Sequence, residues 1–163
     1  MRSLLVLSVL FYLFTTPAHA LLDSVQVTNL SDVNFPTWNA TDGAMSAHID
    51  ICIYSIGVLS SPDYGVTISA PGGYVLRNGT RQIPFSLFWD DGGSGNLGVN
   101  SGTQLTNNVK LTNRKNANLL SVTCALGLSG PTARLNIRIS QAAMAAALAG
   151  TYNNTLTILI SAD

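Results

Sequence analysis

An all-β fold, an immunoglobulin-like Greek-key sandwich of antiparallel strands, is what three features of this 163-residue sequence predict. Short apolar runs recur along the chain, several with the alternation that marks a half-buried strand. Turn chemistries separate them, among them Pro71-Gly72-Gly73, Asn78-Gly79 and Ser129-Gly130-Pro131. The last run, Thr155 to Ser161, carries Leu156, Ile158 and Ile160 on one face and has only Ala162 and Asp163 after it. An uncovered apolar edge is a liability unless another strand covers it. The sandwich is therefore expected to be incomplete, lacking its last strand, and to be completed by a strand from a partner.

The first twenty residues read as a secretory signal peptide, with Arg2 as the positive region, Leu4 to Phe14 as the apolar core and Ala18-His19-Ala20 as the cleavage site. That apolar run falls short of the ~20 residues a membrane span needs. Residues 21–163 then form one domain that works outside the cytoplasm. Strands are expected at Val25 to Leu30 (or Asp32 to Trp38), Ala47 to Ile56, Tyr64 to Ala70, Ile83 to Trp89, Leu119 to Cys124, Ala133 to Ile139 and Thr155 to Ser161. Val66 alternates with Ile68, and Leu135, Ile137 and Ile139 share a face with Asn136 and Arg138 opposite. Arg77-Asn78-Gly79-Thr80 carries the Asn-Gly pair favoured in two-residue hairpins. The one helical stretch is the Ala-rich Gln141 to Leu148, with Gly150 as its cap. It is too short to stand alone and serves as a connection between the sheets.

Lys and Arg total 8, Asp and Glu total 8, and no glutamate occurs, so electrostatics gives no reason to expect nucleic acid or an anionic membrane as partner. Surface polarity comes from Ser, Thr and Asn, a composition that suits secreted β-structure. Cys52 and Cys124 are the two cysteines. In an oxidising compartment such a pair reads as one disulfide.

Catalytic signals are sparse, and no catalytic residue, cofactor or metal site is expected. His48 is the sole histidine after the leader, and although His48 and Asp50 would share a strand face, no serine elbow completes a triad. The run Asp90-Asp91-Gly92-Gly93-Ser94-Gly95-Asn96-Leu97-Gly98 fails the calcium-loop patterns and reads as a flexible hairpin loop. Phe85, Phe88, Trp89 and Trp38 suit a core between two sheets, with a sugar-stacking platform as the alternative use.

The segment Ala149-Gly150-Thr151-Tyr152-Asn153-Asn154-Thr155-Leu156-Thr157 resembles the Gly-x-Tyr-x-Asp-Thr-Leu/Val signature that closes spore coat U-like domains. These are the subunits of archaic chaperone–usher pili and related secreted coat proteins. Gly150, Tyr152 and Thr155 match the signature, and Asn154 stands where it has Asp. Ile51 to Tyr54 is similar to the family's early cysteine strand, and Ile83 to Trp89 to its central strand. The resemblance implies a pilin-like sandwich without its last strand, with Thr155, Leu156, Thr157, Ile158, Leu159 and Ile160 as the edge that receives one. It implies a periplasmic chaperone and an usher as partners, then neighbouring pilus subunits, and a place at the cell surface or in a fimbrium. Leu21 to Cys52 must hold the first strand and leaves little for a donor extension, which favours a tip or terminal subunit. The competing class is a stand-alone secreted β-sandwich binding module, with glycans as the ligand its aromatics suggest.

Overall fold

A computed structural model describes residues 24–56, 63–119, 124 and 128–163. The expected signal peptide, and most of the expected strand from Leu119 to Cys124, lie outside them. Among the described residues these elements follow in order: β1 (Ser24–Thr28), β2 (Met45–Ile56), β3 (Tyr64–Ser69), β4 (Val75–Asn78), β5 (Arg81–Pro84), β6 (Ser86–Asp90), β7 (Thr103–Gln104), β8 (Leu111–Arg114), β9 (Ala133–Ile139), α1 (Gln141–Ala145) and β10 (Thr157–Ala162). They form a five-stranded sheet β1-β2-β9-β6-β7, a three-stranded sheet β10-β3-β8 and a two-stranded ribbon β4-β5. The pairings between these strands are antiparallel, and one isolated bridge, Tyr54 to Asn118, is parallel.

Period-two patterning explains the core. The odd-numbered residues Ile51 and Ile53 of β2, Leu135, Ile137 and Ile139 of β9, and Leu87 and Trp89 of β6 all turn inward and are buried. Tyr64, Val66 and Ile68 of β3 meet them from the smaller sheet, each fully buried. Burying each such side chain contributes about 1.5–3 kcal/mol. Trp89 donates its Nε1–H to the Tyr64 hydroxyl at 3.1 Å, with the two rings edge-on. Burial pushes the Tyr64 phenol well above its ordinary pKa, so it stays protonated and able to donate.

Four expectations change. The run Ile83 to Trp89 is not one strand: it breaks at Phe85, with β5 in the ribbon and β6 in the large sheet. Pro84 has no N–H to continue a ladder, and the Phe85 amide donates instead to Tyr74 O at 3.0 Å. The first strand is Ser24–Thr28; Asn29 takes a left-handed φ of 65°, and Asp32 to Trp38 forms no strand. The helix stops at Ala145, capped at its start by the Ser140 hydroxyl and at its end by Ala146, not Gly150. In the ribbon, Asn78 pairs with Arg81, so the turn is Gly79-Thr80. Gly79 carries φ 59° in the first turn position, where a type II′ turn wants glycine.

Candidate docking groove

β10 pairs with β3 on one side only, from Thr157↔Ser69 to Ala162↔Tyr64. Among the described residues no strand pairs with its other side. Leu156, Ile158 and Ile160 are half-buried and packed on the core, whereas Leu159, turned outward, is 62% exposed. Across from β10, the inner face of β2 changes character along its length. Ile51 and Ile53 are fully buried, but Met45 and Ile49, earlier on the same face, are only half covered.

Between these half-covered residues lies a groove of about 1030 Å³. Leu156 just before β10, Ile158 of β10, Met45 and Ile49 of β2, and Ile137 and Ile139 of β9 line it from the two sheets. The ribbon contributes Leu76 and Ile83, the helix contributes Met144, and the unpaired stretch after β1 contributes Val33 and Phe35. Packed protein interiors leave few voids larger than one water, so an opening of this size is a cleft at the margin of the two sheets and not part of the packed core.

Both ends of β10 are anchored. Before it, Asn153 exchanges two backbone hydrogen bonds with Arg77 of β4, at 2.8 and 3.0 Å. The Asn154 side-chain amide donates to Val75 O at 2.7 Å and to Gly73 O at 3.4 Å, while its carbonyl accepts from the Thr155 amide at 2.7 Å. Tyr152 lines the groove and donates its hydroxyl to Leu148 O at 2.8 Å. A Cβ on Gly150 would stand 2.4 Å from the Asn78 side-chain nitrogen, so a larger residue here would displace that amide. Gly150, Tyr152, Asn154 and Thr155 thus meet at one end of the groove. Leu156, Thr157, Ile158, Leu159 and Ile160 follow along the free edge, with the strand proper beginning at Thr157.

After β10, Asp163 pairs with Lys110 Nζ at 2.5 Å and accepts from the Asn113 amide at 2.6 Å. Burial alone would raise this carboxyl's pKa, but the Lys110 and Asn113 bonds outweigh it and hold the value below the ordinary range. Gly65 of β3 leaves room for this bridge, since a Cβ there would strike Lys110 Cε.

The other candidates take structural places. His48 is exposed, and Asp50 is held by Arg134 through two bonds of 2.6 and 2.9 Å, so the two form no dyad. The run from Asp90 to Gly98 is a clamped loop: the Asp90 carboxylate accepts from the Gly92 amide at 3.0 Å, the Gly98 amide at 2.8 Å and the Ser101 hydroxyl. Trp89 and Phe85 are buried, and Phe88 lies under the Arg138 guanidinium, 4.4 Å from its ring centre. Cys52 and Cys124 are disulfide-bonded, with Cα atoms 6.1 Å apart. Among the described residues no group of three or more His, Cys, Asp or Glu could hold a metal ion.

Val33 and Phe35, like Met45, Leu76 and Met144, are groove residues that sequence reasoning missed. The signal for Val33 and Phe35 was present as two apolar residues at period two, but Asn34 between them and Asp32 and Pro36 on either side weaken it.

No family model matches this chain. No curated protein matches it either. Among solved structures, it is similar to a chain of a chaperone–tip adhesin complex described as vital for synergistic activation of CFA/I fimbriae biogenesis. The TM-score is 0.55 at 14% identity, and the match covers 85% of this chain and 41% of that one. What the two share is the fold, a mostly antiparallel, multi-sheet, pilin-like β-structure.

Proposed function

We propose that this chain is a non-enzymatic structural or adhesive surface subunit, secreted through the periplasm and assembled by β-strand complementation. One observation carries the reading: the unpaired edge of β10 runs beside an apolar groove between the sheets. A strand laid there would bond the free backbone groups of β10 and bury alternate side chains against Leu156, Ile158 and Met45. A periplasmic chaperone would supply that strand first, and a neighbouring subunit would replace it after delivery to an usher. The likeness in fold to a chain of a chaperone–tip adhesin complex supports this class, and the short span from Leu21 to Cys52 favours its finer form, a tip or terminal pilus subunit. The spore coat U-like motif at the entrance to β10 supports it too, because its residues fix the hairpin at the groove's end.

Co-expression with the cognate chaperone is the test. The processed wild-type chain should purify as a soluble heterodimer with its partner. Ile158→Asp should abolish capture, because a carboxylate buried without a partner costs several kcal/mol, roughly 2–7 for a lone polar group and more for a charge. A lone monomer that is soluble, unfolds cooperatively and ignores chaperone and donor peptide would establish the stand-alone binding module instead.

A further inference from the structure

Residues 30–38 cross the groove in an unusual state. Val33 and Phe35 are half-buried and packed on the core, while Asp32, Asn34 and Pro36, before, between and after them, are exposed. That is the alternation of a strand against an apolar face. Yet no backbone–backbone hydrogen bond joins residues 30–38 to any other described residue. The segment fills part of the groove with side chains and offers β10 no ladder.

Its two ends are held firmly. At one end Asn29, in its left-handed conformation, donates its side-chain amide to Asp50 O at 2.8 Å. At the other, Trp38 Nε1 donates to Gly43 O at 3.0 Å, and Asn39 and Asp42 close a tight turn, with the Asn39 amide on the Asp42 carboxylate at 2.7 Å. Polar contacts fix the ends and apolar contacts alone hold the middle.

We infer that residues 30–36 form a built-in strap that occupies the groove of the unassembled subunit and is displaced by the arriving strand. This rests on the strand-complementation reading above. The competition has a clear physical direction. An arriving strand would match the strap's apolar contacts and add backbone hydrogen bonds to the free edge of β10, which the strap leaves unused. The strap shields Leu156, Ile158, Met45 and Ile49 until then, and its anchored ends let the middle lift without unfolding either sheet. It also lowers the apparent affinity of any donor by the fraction of molecules with the strap raised.

The test compares the folded, oxidised chain with Val33→Ser/Phe35→Ser and with Trp38→Phe, which cuts the anchor but keeps an aromatic ring. Two probes are read: the apolar-surface dye anilinonaphthalene sulfonate, and uptake of an acetylated peptide of alternating valine and threonine. In the double variant, dye emission should rise severalfold and peptide affinity by about tenfold, as the competent fraction grows. Trp38→Phe should move both the same way by a smaller factor, and it decides the matter should the double variant not fold. Unchanged dye emission would overturn the strap, and so would raised emission with unchanged peptide affinity. Peptide uptake by none of the three proteins would instead overturn strand complementation, while the dye would still decide whether the strap covers the groove.

Discussion

Asp90 sets the shape of the connection between β6 and β7 through one carboxylate. It is 8% exposed and accepts hydrogen bonds from two glycine amides and the Ser101 hydroxyl. Burial pushes its pKa upward, but the bonds from Ser101, Gly98 and Gly92, together with the nearby Arg134 charge, bring it below the ordinary value. A carboxyl with a depressed folded pKa stabilises the fold above its unfolded pKa, about 3.9 for aspartate. That stability is lost as pH falls through the lower, folded value. Asp163 acts in the same sense. Asp90→Asn should therefore cost about 1–3 kcal/mol at neutral pH and flatten the decline of stability in acid. Urea unfolding at a series of pH values reads both, and a variant with the wild-type acid slope would remove Asp90 from this role. The glycine-rich sequence of this loop suggested flexibility because two of the three partners that clamp it stand eight and eleven residues from Asp90. Nothing local in the sequence signals them.

At the scale of elements, the strands with clean alternation were readable and the polar ones were not. β9 spans Ala133–Ile139 as its alternating Leu and Ile residues require, and β2 and β3 fall where their apolar runs lie. β8, with sequence Leu-Thr-Asn-Arg, and β7, with Thr-Gln, carry no such pattern; pairing with β3 and β6 makes them strands. The division of Ile83 to Trp89 between two sheets was hidden because one apolar run serves both. Of the groove, the β10 wall could be read from Leu156 and Ile158, whereas the strap and the Met45 wall depend on tertiary placement. Asn154 shows what the motif does here. Its amide must donate to two carbonyls of the segment leading into β4, and a carboxylate in that place could only repel them. Asn154→Asp should thus destabilise the protein by about 1–3 kcal/mol, although Asp is the residue of the signature it resembles. Thermal unfolding measures this, and an unchanged or raised midpoint would mean that Asn154 does not pin the hairpin.

For the whole molecule, the five-stranded sheet outspans the three-stranded one, and the disulfide is the main covalent tie across the chain. Cys52 and Cys124 are separated by 72 positions, and closing so long a loop in the unfolded chain stabilises the fold by about 4 kcal/mol in the chain-entropy model. Reduction and alkylation should lower the urea midpoint accordingly. Mass measurement should find both thiols alkylated only after reductant is added, and free thiols in untreated protein would exclude the bond. For a domain of ordinary marginal stability, about 5–15 kcal/mol, loss of that one link leaves little reserve.

The same link changes how the molecule answers to tension. Pulled from β1 and β10, the chain can pay out only the segments outside the bonded loop, because force entering Cys52 passes directly to Cys124. The loop withholds a contour length of roughly 250 Å, at ~3.5 Å for each of 72 steps. β3, β6 and their buried Tyr64–Trp89 contact sit inside that loop. A stretched molecule therefore keeps the middle of its sequence off the load path.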